Sequence, residues 1–256
     1  MSKYLYYLRS IPTLLGGFRR PGRILGIFLG LPGMLPSEVQ LRKNGWRFSV
    51  RSALDLWVIK ETCIDNGYLE QKSFDPAWSV IDVGAGLGDF TVLAASACPD
   101  GQVHAYEPHE ASHKLLQDNL ALNNLDGVRC FREAAGIAGQ KPEPISRDSE
   151  PISTPFRETD SDSSVPWVSL GQMVARLSGH ECDLLKIDCE GCEFELLHNA
   201  NSDSLMKVRR ITMEAHDGYF GYSTDELVAY LTGCGFTVSL EPNPVHSYLS
   251  HIYAER

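Results

Sequence analysis

The chain of 256 residues is long enough for one large α/β domain, and its 43% hydrophobic and 22% charged residues are typical of a globular protein. Its net charge of -10 excludes broad affinity for nucleic acid, because phosphate binding needs clustered lysine and arginine. The charge is unevenly distributed: residues 1–51 carry nine basic residues and one acid, a balance of +8, which leaves -18 for the rest.

Residues 1–40 are basic and apolar with scattered glycine and proline, which predicts a separate N-terminal arm and disfavours an interfacial helix within it. The apolar run 24–35 is too short to cross a bilayer, which takes about 20 residues. Two hypotheses for residues 1–35 remain open. They could dock peripherally on anionic lipid, or pack on the domain or a second subunit in a homo-oligomer.

Residues 41–77 are predicted to cap the ligand site with a hairpin and a helix. The pattern of residues 39–50 predicts two strands joined by a turn at Asn44-Gly45. Residues 52–67 predict a helix that Gly67 stops.

Residues 78–256 alternate short apolar runs with helical patterns, which predicts a mostly parallel sheet covered by helices on both faces. The predicted strands are 79–83, 102–106, 128–132, 183–187, 208–213, 236–240 and 247–253. The predicted helices are 89–98, 110–124, 169–178, 192–199 and 224–232. Residues 141–165 interrupt this alternation and predict either a flap over the ligand cleft or a surface insertion.

Seven cysteines, an odd number at irregular spacing, predict free thiols and a cytoplasmic protein rather than a disulfide framework. Cys189-x-x-Cys192 has no second pair or nearby His pair to complete a zinc site.

A glycine-rich turn joins the first predicted strand of the sheet to its helix. Gly84, Gly86 and Gly88 let the backbone turn tightly and approach a ligand closely. The spacing is not the G-x-G-x-x-G of dinucleotide sites, since Asp89 occupies the position of the third glycine. Asp82 and Asp89 would repel a pyrophosphate and favour a ligand that carries an ammonium group.

Glu107 follows the second strand of the sheet, where a carboxylate can accept both ribose hydroxyls of an adenosine. Together, Asp82 and Glu107 predict a nucleoside with a cationic amino-acid tail, which describes S-adenosylmethionine (SAM). Further residues predicted to bind this cofactor are Ala85, Phe90, Pro108, Glu133, Ala134 and Asp188.

Two blocks of sequence resemble the FkbM-type methyltransferases: VIDVGAGLGDF at 80–90 with YEPH at 106–109, and LKIDCEGCE at 185–193. Asn119, Asn123, the run 214–216 and the terminal run 252–254 are also similar. Gly86 departs from the family, in which asparagine is common there. The resemblance implies a Rossmann-like, seven-stranded class I methyltransferase fold. It also implies O-methylation, often of sugars, with a non-sugar natural product or a lipid-linked acceptor as alternatives.

Polar residues at the ends of the fourth and fifth strands are the predicted catalytic groups. In one hypothesis His216 or Asp188 accepts the hydroxyl proton, since a histidine of ordinary pKa is neutral at physiological pH. In the other, a divalent cation held by Asp188 with Glu214, His216 or Asp217 lowers the pKa of the alcohol.

Two roles are open for Lys186 and Glu190. They could neutralise each other as a buried pair, or they could bind the methyl acceptor. Four aromatic residues near predicted loops could either pack half-buried in the domain or stack on a sugar ring: Trp167, Tyr219, Phe220 and Tyr222. A non-catalytic SAM-fold binding module and a nicotinamide enzyme are competing interpretations. Asp89 disfavours the nicotinamide enzyme, and the intact acids at the end of the fourth strand disfavour the binding module.

Overall fold

The computed structural model describes residues 3–65, 67–68, 73–137, 165–189, 192–217 and 223–256, with side chains described from residue 9 onward. In these parts, the α-helices are α1 (Lys3–Gly17), α2 (Pro21–Phe28), α3 (Ala53–Cys63), α4 (Asp89–Ala97), α5 (Glu110–Leu122), α6 (Leu170–Ala175), α7 (Cys192–His198), α8 (Ser202–Met206) and α9 (Thr224–Gly233). The strands are β1 (Ser37–Gln40), β2 (Arg47–Val50), β3 (Ser79–Val83), β4 (Gln102–Tyr106), β5 (Arg129–Phe131), β6 (Ala134–Ala135), β7 (Trp167–Val168), β8 (Leu184–Ile187), β9 (Arg210–His216), β10 (Thr237–Pro242) and β11 (Leu249–Glu255).

Seven strands form one sheet in the order β10-β11-β9-β8-β3-β4-β5. Neighbouring strands from β9 to β5 are parallel, and β11 runs antiparallel to both β9 and β10. The chain order reverses between β3 and β8, so their carboxyl ends flank the crevice in which open α/β sheets bind ligands. The predicted seven-stranded, mostly parallel α/β fold is confirmed.

Strands β3 and β8 are apolar through most of their length because helices cover both faces of the sheet. A large apolar cluster with Leu185, Phe194 and Met213 packs on one side. A second cluster contains Leu87, Leu116 and Phe48 and includes side chains of α1 and α2.

Capping explains where several helices begin. Ser52 and Asp55 form a capping box at α3, and the predicted box of Ser169 and Gln172 opens α6. Helix α3 ends at Cys63, before the predicted stop at Gly67.

Residues 1–40 contain two helices, α1 and α2, although their glycine and proline content disfavours a helix. Pro21 occupies the first turn of α2, where proline costs no hydrogen bond, and Ile24 and Ile27 bury the inner face. In the parts of the chain that the structure describes, none of the helices combines the length and hydrophobicity needed to cross a membrane.

Candidate active site

The site lies at the carboxyl ends of β3, β4, β8 and β9. Residues 84–88 connect β3 to α4, and Gly84 has a φ of 72°. A Cβ at Gly84 would overlap the carbonyl oxygen of Asp188 on the neighbouring strand. Only glycine allows the loop to lie this close to the end of β8. The narrow turn fixes the loop backbone at the position where the sequence predicts a ligand.

Glu107 holds the glycine-rich loop. Its Oε2 accepts a hydrogen bond from the backbone amide of Gly86 at 2.8 Å, and its Oε1 accepts one from the amide of His109 at 2.9 Å. Burial raises the pKa of Glu107 to about 7, although both amides favour the charged form. Each carboxylate oxygen has a second lone pair, so the side chain can also accept a pair of hydroxyl groups. A pair of acceptor oxygens in this position fits the two ribose hydroxyls of SAM.

Asp82 lies beneath the loop and is fully buried. Its carboxylate accepts a hydrogen bond from Thr91 Oγ1 at 2.5 Å and pairs with Lys186 Nζ at 3.1 Å. Lys186 also donates to the carbonyl oxygen of Gly84 at 2.9 Å. The structure therefore places Asp82 as a support for the loop, whereas the sequence suggested contact with the ammonium group of the cofactor.

Lys186 is a buried cation surrounded by acids. Burial lowers its pKa, but the charges of Asp82, Asp188 and Asp89 outweigh this effect and raise the pKa well above its usual range. The predicted neutralisation is present, with Asp82 as the partner. Glu190, the acid considered for this role, is outside the described residues.

Tyr68 is a site residue that the sequence did not reveal. Its hydroxyl donates to Asp188 Oδ2 at 2.7 Å, and its backbone oxygen accepts from Thr212 Oγ1 at 2.7 Å. Its ring centroid lies 5.4 Å from Lys186 Nζ. Burial raises the pKa of Tyr68 well above its usual range, so the phenol stays protonated and donates.

His216 and Glu193 form a buried pair in which His216 Nδ1 is 2.9 Å from Glu193 Oε1. Burial lowers the pKa of His216, but the hydrogen bond and the charge of Glu193 outweigh it and raise the pKa to about 9. The raised pKa favours the charged form of His216, and not the neutral form that proton acceptance requires. A charged imidazolium can donate hydrogen bonds but cannot accept a proton.

Glu214 lies next to Asp188, because the register pairs Ile187 with Met213 on the parallel strands β8 and β9. Burial and the charge of Asp188 raise the pKa of Glu214 to about 8, against the opposing effect of His216. The structure thus brings together the three residues predicted to be catalytic.

The remaining acids of the prediction have partners elsewhere. Both oxygens of Glu133 accept from Arg176, at 2.6 and 3.1 Å. Asp217 Oδ1 accepts from the amide of Thr224 at the start of α9. Asp89 opens α4, and burial raises its pKa to about 6.

The predicted apolar positions of the site lie mostly in the core. Ala85, Phe90 and Ala134 are buried, and Phe90 packs edge-on against Tyr68 at a ring distance of 5.7 Å. Pro108 lies between Glu107 and the N-cap residue of α5, His109.

Cys189 and Cys192 are joined by a disulfide bond, so the expectation of free thiols is wrong for this pair. Cys189 follows β8 and Cys192 begins α7, and their Cα atoms are 5.5 Å apart. The other five are free thiols, as expected: Cys63, Cys98, Cys130, Cys182 and Cys234.

Among the residues that the structure describes, no three His, Cys, Asp or Glu side chains are grouped as a metal site would require. Several predicted features lie outside those residues: most of the 141–165 flap, and the aromatics Tyr219, Phe220 and Tyr222.

Comparison with known proteins shows which family the chain matches. The model of the methyltransferase FkbM domain matches residues 82–238, more than half of the chain. A relative from Streptomyces tacrolimicus, 31-O-demethyl-FK506 methyltransferase FkbM, is 26% identical over 74% of this chain and 84% of its own. Methyltransferase 1 of Beauveria bassiana is 25% identical over 72% of this chain and 82% of its own. A crystal structure of methyltransferase FkbM from Methylobacillus flagellatus KT superposes with a TM-score of 0.50 at 16% identity. It covers 79% of this chain and 54% of that one.

Proposed function

The chain belongs to the FkbM methyltransferase family, as a SAM-dependent methyltransferase, and on that premise we propose that it methylates a hydroxyl oxygen of a sugar or a glycosylated small molecule. One observation carries the proposal: Asp188, Glu214 and His216 meet beside the loop held by Glu107. The Streptomyces relative is named for a methylated oxygen, which supports an oxygen acceptor here.

The residues that would hold SAM are the loop 84–88 and Glu107. The loop backbone would contact the amino-acid end, and Glu107 would accept the ribose hydroxyls. When bound, SAM would supply an electrophilic methyl group, whose carbon bonds to an aligned acceptor oxygen as its bond to sulfur breaks and S-adenosylhomocysteine leaves.

Asp188 is the proposed general base. Its side chain is 27% exposed, compared with 7% for His216, so an acceptor hydroxyl can reach it. Tyr68 occupies Oδ2, which leaves Oδ1 to accept the proton. His216, charged through Glu193, donates a hydrogen bond and orients the acceptor, while protonated Glu214 adds a second donor.

Replacing Asp188 by Asn should lower kcat by about 10²–10⁴-fold with little effect on SAM affinity, because the amide cannot accept a proton. Asp183→Asn is the matched control, since Asp183 precedes β8 at its opposite end. Steady-state kinetics and calorimetry with SAM measure both quantities. If Asp188→Asn retained wild-type turnover, the base would have to be another group.

Base catalysis also predicts that exhaustive EDTA treatment leaves the activity unchanged. Asp217 accepts from the backbone amide of Thr224 and Asp188 accepts from Tyr68, so two of the expected metal ligands have other partners. Loss of turnover with EDTA and its recovery with Mg²⁺ would establish metal assistance instead.

The acceptor class is tested by mass spectrometry of reactions with glycosides, non-sugar alcohols and lipid-linked alcohols. We expect a glycoside to gain one methyl group as S-adenosylhomocysteine appears. Methylation confined to either of the other two classes would overturn the sugar assignment. SAM binding without turnover of any acceptor would favour a non-catalytic module.

A further inference from the structure

Exposed apolar side chains are concentrated on the N-terminal arm. Nine large hydrophobic residues are exposed in the described parts of the chain, and six of them lie between residues 11 and 35. These six are Ile11, Leu25, Phe28, Leu29, Leu31 and Leu35. The segment 28–36 contains no charged residue, and Leu29 is 65% exposed.

The arm is fixed in place by its inner face. Phe18 and Ile24 are buried in the same cluster as Phe48, and the amide of Arg19 donates to the oxygen of Gln40 at 2.9 Å. The amide of Arg42 donates to the oxygen of Gly17 at 2.7 Å. Because these contacts hold the inner face of the arm on the domain, its apolar outer surface stays exposed in the folded protein.

Three arginines precede the exposed leucines in the chain. Arg19, Arg20 and Arg23 line a cavity of about 610 Å³ in which Glu38 is the one acid among the described lining residues. Glu38 is compensated by a two-pronged ion pair with Arg47, at 2.8 and 2.9 Å. The cavity thus presents a net positive charge at the N-terminal end of α2, the helix that carries the exposed Leu25 and Phe28.

We propose that residues 19–35 form a lipid-docking surface that binds the anionic face of a bilayer. Arg19, Arg20 and Arg23 bind headgroup phosphates, while Leu29 and Leu31 enter the interfacial layer. The charge distribution favours this single orientation, because residues 1–51 carry +8 and the remaining chain carries -18. An anionic bilayer attracts the first region and repels the second. The surface is separate from the proposed catalytic groups, so its test does not depend on the acceptor.

The arginines are tested by co-sedimentation of the full-length protein with vesicles of phosphatidylcholine, alone or mixed with an equimolar amount of phosphatidylglycerol. We expect binding to the mixed vesicles only, and weaker binding as salt rises. Each basic residue near such a surface contributes about fivefold in affinity, so R19Q/R20Q/R23Q should weaken binding by about 100-fold. The control K114Q/R129Q/K207Q removes the same charge elsewhere and should bind like the wild type.

The leucines are tested by L29Q/L31Q, which keeps the charge and alters only exposed positions. This variant should weaken vesicle binding, whereas M206Q/L240Q, a pair of exposed apolar residues outside the arm, should not. Circular dichroism and SAM calorimetry establish that each variant is folded.

Three results would overturn the proposal. Equal binding to both kinds of vesicle would exclude recognition of anionic lipid, and equal losses in the control triple variant would show dependence on net charge alone. A dimer in sedimentation velocity that L29Q/L31Q dissociates, without vesicle binding by the wild type, would assign the surface to a second copy of the chain.

Discussion

Glu107 shows how one carboxylate can shape a loop and prepare it for a ligand. Its two oxygens accept from the amides of Gly86 and His109, which fixes both the glycine-rich loop and the start of α5. The same two hydrogen bonds fix the directions of the remaining lone pairs on Oε1 and Oε2, which can accept from a ligand. Because burial raises its pKa to about 7, the side chain is poised between charged and neutral forms at physiological pH.

This pKa predicts that SAM affinity rises with pH. Ribose hydroxyls donate to the ionised carboxylate, so bound cofactor lowers the pKa of Glu107 and affinity increases as pH rises through about 7. One pH unit below that value only about a tenth of the side chain is ionised, which should weaken binding by about tenfold. Calorimetry from acidic to mildly alkaline pH measures the slope.

Glu107→Gln removes this titration and should give a flat pH profile. The loss of charge-assisted bonds should also weaken SAM binding by about 1.5–3 kcal/mol at high pH. If the variant kept the wild-type slope, the titrating group would be another acid, and Asp89, whose pKa is about 6, would be the first to examine.

The buried cation Lys186 is the second residue whose role can be isolated. Lys186→Met leaves Asp82 buried without its counter-charge and should cost about 3–5 kcal/mol of unfolding free energy. Arg209→Met is a matched control, since its ion pair with Glu181 is exposed and should contribute no more than about 1 kcal/mol. Urea denaturation of both variants measures the difference. Equal costs would show that Asp82 does not depend on Lys186.

At the scale of elements, the loop between β3 and α4 is determined by the strand beside it. Gly84 and Gly86 both have positive φ values, 72° and 54°, but their surroundings differ. A Cβ at Gly84 meets the backbone of Asp188, whereas a Cβ at Gly86 meets no atom within 4 Å. The first glycine is required by contact and the second only by its conformation.

Substitutions at these two glycines should therefore have different effects. Gly84→Ala should displace the loop from β8 and abolish SAM binding. Gly86→Ala carries only the left-handed penalty of about 1–2 kcal/mol, and Gly86→Asn less, because asparagine tolerates this conformation. Thermal unfolding and SAM calorimetry test the three variants. A Gly84→Ala protein that bound SAM normally would show that the loop can move away from Asp188.

Strands buried on both faces are the elements that the sequence predicts best. The bounds of β3 and β4 agree with prediction because their apolar runs are short and end at polar turns. Strand β9 extends to His216, three residues beyond the predicted end, since pairing with β11 continues the ladder through polar Glu214. Helices α1 and α2 were missed because tertiary packing outweighs their glycine and proline content.

The candidate site was predictable where its residues follow strand ends. Glu107 and Asp188 follow the ends of β4 and β8, and Glu214 follows the predicted end of the fifth strand, although it lies inside β9. The contact of Tyr68 with Asp188 spans 120 residues of sequence, and no periodicity or motif marks Tyr68. The elevated pKa of His216 likewise depends on Glu193, a partner that only the fold brings near.

At the scale of the whole molecule, the N-terminal arm and the domain share one apolar cluster. Phe18 and Ile24 of the arm are in the same cluster as Phe48, Leu56 and Leu116. Phe18 is fully buried and forms a backbone bridge with Leu41. Since these contacts are continuous, we expect the arm and the domain to unfold together.

Phe18→Ala tests this cooperativity. Truncating the buried ring should cost about 3–5 kcal/mol, because it removes apolar contacts and leaves a cavity against the domain. Leu29→Ala, at a position 65% exposed, should change the stability by no more than about 0.5 kcal/mol. Urea unfolding followed by both circular dichroism and SAM binding is the measurement, with one shared midpoint expected in every variant. A domain transition that stayed in place while Phe18→Ala loosened only the arm would show that the arm folds separately, and its outer surface would then not be held rigidly by the domain.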